Sequence, residues 1–194
     1  MSEAARSGIH PAELAQERER WDEQSDLIDS LSAQQVRRPG YFPDGWSVKD
    51  MLGHIGTWMA EAGMVLEQIR FGTYRAEEID IDALNARFLE AMRDVPMGVV
   101  RAQASASRAR MLRHWAALPE RTLEAEQWVR KSGPKHYDEH LPRLRERVAE
   151  MGLFALGDSC GSDIRNHKDD YVGEAISGHM DDDTARRQPR REAK

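Results

Sequence analysis

Residues 45–62 read GWSVKDMLGHIGTWMAEA. Ser47-Val48-Lys49-Asp50 has the form of a capping box. The Ser47 hydroxyl accepts from a backbone N–H of the first turn, and the Asp50 carboxylate reaches back to the Ser47 N–H. From there Val48, Met51, Leu52, Ile55, Trp58, Met59, Ala62 and Leu66 recur at helical spacing. The pattern predicts a helix over 47–70 with Gly72 as its stop. His54 falls beside Met51 and Trp58, at the edge of the apolar stripe. A histidine there must satisfy its ring nitrogens within or near the core.

Outward from this helix, other amphipathic segments follow. Residues 1–10 read as a flexible N-terminus. A first helix runs from Pro11, which suits a first turn, to Leu31, with Leu14, Trp21, Leu27 and Ile28 on a sparse stripe. Residues 32–46 contain RRPGYFPDGW, two prolines and two glycines, and read as a loop. Leu84, Phe88, Leu89 and Met92 predict a short helix crossing the bundle within 73–95. The third long helix is expected from Pro96 to Leu118. The small residues of its RAQASASRAR stretch permit close helix approach or line a cavity. Residues 119–133 read as a long connection. Pro134 opens the fourth helix, with Tyr137, Leu141, Leu144, Val148 and Met151 on one face. Pro142 lies inside it and predicts a kink or a restart near Leu141. Residues 153–194 form a polar extension whose DDDTARRQPRREAK end buries too little apolar surface to order itself. No segment carries strand periodicity. The expectation is therefore all-α: an up-down four-helix bundle over 11–152 with an additional short crossing helix.

Composition excludes several functions. Of 194 residues, 28 are Lys or Arg and 34 Asp or Glu, a net charge of -6. That balance argues against nucleic acid, whose binding needs a basic face. No apolar run approaches the ~20 residues of a membrane span, and the first twenty residues lack the apolar core of a signal peptide. The single cysteine, Cys160, excludes an internal disulfide framework and points to the reducing cytoplasm.

His136 and His140 lie at i, i+4 in KHYDEHLPRL. That spacing puts both rings on one helix face, with Cβ atoms roughly 5–6 Å apart. Such a pair holds a divalent metal when a facing helix supplies a third ligand. The alternative for the pair is a solvated face in a stretch rich in Lys, Asp and Glu. For His54 it is a hydrogen-bonded core histidine. Asp50, Asp138 and Glu139 lie close enough in sequence to orient ligating rings, but capping and solvation account for them as well. Trp46, Trp58, Trp115 and Trp128 read as core or pocket wall, and His114 as exposed or pocket-lining. His167 and His179 read as solvated, and a rival site from Cys160, His167 and Asp169 has no standard metal spacing.

GWSVKDMLGHIGTWMAEA resembles the second-helix signature of the DinB/YfiT-like metalloprotein superfamily, and KHYDEHLPRLRERV resembles its late HxxxH helix. The order, one early histidine and then the pair, matches over residues 11–151. The resemblance implies a bundle in which His54, His136 and His140 hold zinc or nickel, with iron or manganese as alternatives. It also implies a low-molecular-weight thiol cosubstrate such as mycothiol, a small electrophile as substrate, and homodimerisation, which is common among such bundles. The superfamily's two-domain isomerases carry a further C-terminal domain. Roughly forty residues follow the fourth helix here, so transfer of the thiol is expected rather than isomerisation. A hydrolase or self-resistance protein using water at the same site, and a non-catalytic metal-binding stress protein, are the alternatives.

Overall fold

A computed structural model describes residues 11–42 and 45–157. The expectations for residues 1–10, for the extension beyond 157, and for Cys160, His167, Asp169 and His179 lie outside the described residues. The order is α1 (Pro11–Asp29), a single 3-10 turn (Gln35–Arg37), α2 (Val48–Arg70), α3 (Ile81–Met92), α4 (Met97–Ala116), α5 (Leu123–Ser132) and α6 (Pro134–Gly157). The described residues contain no strand.

Helix α2 is the centre of the bundle. Its capping box forms as the sequence predicts: the Asp50 N–H donates to Ser47 Oγ, and the Ser47 N–H donates to Asp50 Oδ2 at 2.9 Å. Val48, Met51, Ile55, Met59, Ala62 and Leu66 are fully buried, each larger side chain contributing about 1.5–3 kcal/mol on burial. On its other flank α2 approaches α4 closely. A Cβ at Gly56 would stand 2.9 Å from the Ala104 Cα, and one at Gly63 would stand 3.8 Å from that of Met111. The small-residue stretch of α4 is thus a close-packing surface.

These contacts also set directions. Gly53 meets Val100, Gly56 meets Ala104 and Gly63 meets Met111, so α2 and α4 run parallel. The ion pairs Glu17–Arg108 and Asp29–Arg101 make α1 antiparallel to α4, whereas Arg20–Asp138 and Glu23–Arg145 make it parallel to α6. The connection through α3 returns the chain to the end where α2 began, which a parallel neighbour requires. Lys49 fastens that connection. Its buried ammonium donates to the main-chain carbonyls of Met92 and Arg93, at the C-terminal end of α3, where the helix dipole favours a cation.

Two expectations need correction. Residues 119–133 are not a plain connection, because α5 occupies Leu123–Ser132. Only Ala125, Val129 and Ser132 are buried there, too few to create a visible stripe. The end signals were nevertheless present: Thr122 Oγ1 accepts from the Ala125 N–H, acids fill the first turn, and Arg130 and Lys131 fill the last. Of the two readings of Pro142, the restart does not occur, because α6 runs through it to Gly157. Pro142 and Asp138, the residue whose carbonyl the proline leaves without an intrahelical donor, are both exposed.

Two buried polar features sit in the core. Glu17, 1 % exposed, accepts two hydrogen bonds from Arg108, at 2.7 and 2.5 Å, and a third from the Tyr137 hydroxyl at 3.2 Å. Gln24 is completely buried, and among the described residues neither end of its amide has a hydrogen-bond partner.

Candidate metal centre

The turn after the α2 capping box delivers His54 to the α6-facing side of the helix. From α6, His136 and His140 project one turn apart. All three are buried, and one ring nitrogen from each lies within 4.8 Å of the others. The closest approach joins Nε2 of His54 to Nε2 of His136, at 2.9 Å, one donating to the other. Ring centroids are separated by 4.8 Å (His54–His136), 5.0 Å (His136–His140) and 5.6 Å (His54–His140). The structure thus brings together the three histidines singled out from the sequence, across 82 residues of chain.

The surroundings are aromatic. Trp46 meets His54 edge-on at 5.2 Å and Trp58 meets it at 6.5 Å. Phe42 lies 5.5 Å from His140 and 5.6 Å from Trp46. Trp58 is held in turn by Asn85, which accepts its indole N–H at 3.0 Å, and by the Phe88 ring. Two of the tryptophans therefore act as walls of the site, whereas Trp115 belongs to the core. His114 stands apart, beside Arg110.

Burial controls the charge of the cluster. It pushes the His54 imidazole down to about 3, assisted by the nearby His140. It pushes His140 down to about 4 and holds His136 well below its ordinary value, with His54 and His140 adding to the effect. All three rings are neutral at pH 7, the state in which imidazole offers a lone pair to a metal.

The donor set fits a divalent cation. Two nitrogens of a tetrahedral zinc centre lie roughly 3.3 Å apart, given bonds of about 2.0–2.1 Å, which falls between the 2.9 Å contact and the 4.8 Å span observed here. Nδ1 of His54 and Nδ1 of His136 are buried without partners among the described residues. Carboxylates do not orient the rings: Asp50 is spent in the capping box, while Asp138 pairs with Arg20 and Glu139 with Lys135.

Loop 32–46 supplies residues that sequence reasoning missed. Tyr41 is 1 % exposed, and its hydroxyl donates to the His140 carbonyl at 3.0 Å. The adjacent aromatic pair Tyr41-Phe42, within a stretch otherwise dominated by turn residues, was the available signal. Separately, a cavity of about 540 Å³ opens at the N-terminal end of α2, lined by Arg37, Ser47, Lys49, Asp50 and Arg93 among others. None of the three histidines lines it.

One family model, the mycothiol maleylpyruvate isomerase N-terminal domain, matches residues 17–152. The chain belongs to this family. The matched span contains all three clustered histidines, and the family is DinB/YfiT-like, as the two quoted motifs imply. An all-α bundle is the architecture observed. No curated protein and no solved structure matches the chain. Among the described residues, no helix is long and apolar enough to cross a membrane.

Proposed function

We propose that this protein is a metal-dependent enzyme that joins a low-molecular-weight thiol of the mycothiol type to a small electrophile. His54, His136 and His140 are the metal ligands in this reading. The observation that supports it most is the convergence of three buried, neutral imidazoles from two helices on one point. A divalent ion at such a centre supplies Lewis acidity, making a thiol or water bound to it more acidic. Three protein ligands leave a further coordination position for that group, as catalytic rather than structural zinc sites do.

The chain's own residues do the remainder. Low imidazole pKa values keep the rings neutral, so that each has one nitrogen lone pair to offer. Trp46, Trp58 and Phe42 exclude water from the rings they flank and offer an apolar wall to the electrophile.

Elemental analysis of protein purified without chelators or a metal column, combined with a conjugation assay, tests the reading. Wild type is expected to carry about one divalent ion per chain and to conjugate a generic electrophile only when thiol is added. His54→Ala is expected to lose both properties while keeping its helical circular dichroism. Full activity in His54→Ala discards the proposal, and turnover without thiol reassigns the nucleophile to water.

A further inference from the structure

The outer nitrogens of the three imidazoles are treated unequally. Nδ1 of His54 and Nδ1 of His136 have no partner, whereas Nδ1 of His140 lies 3.5 Å from the Tyr41 hydroxyl. That hydroxyl has one proton to give, and it goes to the His140 main-chain carbonyl at 3.0 Å. Toward Nδ1 the phenol oxygen is therefore left only as an acceptor. We propose that Tyr41 is the positioning residue of the cluster, fixing His140 as the Nδ1–H tautomer so that Nε2 is the ring's one lone-pair donor. This rests on the reading of His140 as a metal ligand. The other two rings have no such partner among the described residues.

Tyr41 is itself held from several directions. Its N–H donates to the Trp46 carbonyl at 2.7 Å. Its carbonyl accepts from Arg143 Nε at 3.1 Å, and the Gly40 carbonyl accepts from the same guanidinium at 3.3 Å. One turn further along α6, the buried Arg147 donates to the Pro39 carbonyl at 2.6 Å. Gly40 adopts φ +97°, a conformation that favours glycine, and this turns the chain back toward α6. The helix that carries His140 thus also grips the loop that carries its hydrogen-bond partner.

Tyr41→Phe keeps the ring and removes only the hydroxyl. Three readouts are taken on the full chain: the His140 tautomer by long-range proton–nitrogen NMR of metal-free protein, the zinc dissociation constant by competition with a chromophoric chelator, and the thermal midpoint. The expected result is Nδ1–H His140 in wild type, loss of that preference in Tyr41→Phe, and zinc affinity weakened about 10–100-fold, the range seen when a metal ligand loses its outer hydrogen bond. A lowered midpoint with unchanged tautomer and zinc affinity overturns the proposal, since that is what a purely structural hydroxyl produces. If Tyr41→Phe does not fold, the wild-type tautomer decides alone, and an Nε2–H His140 overturns the assignment. If wild type binds no zinc, the metal reading falls and the positioning role falls with it. Wild-type binding with an unaffected Tyr41→Phe removes only the role of Tyr41.

Discussion

Acidification should destabilise the metal-free protein well above the pH at which its carboxylates titrate. The three clustered histidines are kept neutral by burial, whereas in the unfolded chain each titrates near 6.5. The unfolded state therefore binds more protons once pH falls below about 6.5, and stability declines with falling pH. This contribution is complete above 6.5 and is lost progressively toward the folded-state values, about 4 for His140 and about 3 for His54. Between pH 7 and pH 5 the loss is about 2 kcal/mol for each of these two rings. His136, also depressed, adds in the same direction. A domain with a total stability of about 5–15 kcal/mol cannot absorb this unnoticed. For an m-value of about 2 kcal/mol/M, the His54 and His140 contributions alone lower the urea midpoint by roughly 2 M. The assay is urea unfolding of chelator-treated protein at pH 7, 6 and 5, followed by circular dichroism. His54→Gln/His140→Gln, whose replaced side chains do not titrate, should show a much shallower pH dependence. A wild-type midpoint that stays constant between pH 7 and 5, or an equally steep decline in the double variant, refutes the reasoning.

Two further substitutions probe the core. Gly56→Ala places a methyl group 2.9 Å from the Ala104 Cα, so α2 and α4 must separate. A destabilisation of about 1–3 kcal/mol is expected, and a thermal midpoint within a degree of wild type contradicts the close packing described. Gln24→Met removes a buried amide that has no hydrogen-bond partner while nearly conserving volume. It should stabilise the fold by about 1–3 kcal/mol, read as a rise in urea midpoint, and a fall instead means the amide has a partner.

The bundle was legible where one element carried several agreeing signals. For α2, the capping box, the apolar period and Gly72 all pointed to the observed Val48–Arg70. Helix α5 was missed because a short helix on the flank of a bundle buries only a few side chains, and its information lies in its caps and charges. The histidine cluster was visible as types and spacing, but spacing within α6 fixes only that His136 and His140 share a face. That His54 meets them depends on the pairing of α2 with α6, which no local pattern encodes. The role of Tyr41 was hidden for the same reason: it sits 99 residues from His140, in a loop whose course is set by guanidinium groups of α6.

The distance along the chain between His54 and His136 also bears on biosynthesis. While α6 is still inside the ribosome, His54 has emerged without His136 and His140, and the cluster cannot form. In the proposed metal reading, cation capture becomes available only after α6 has docked. On that reading ion occupancy would report completed assembly, and a truncated or stalled product should leave the metal supply untouched.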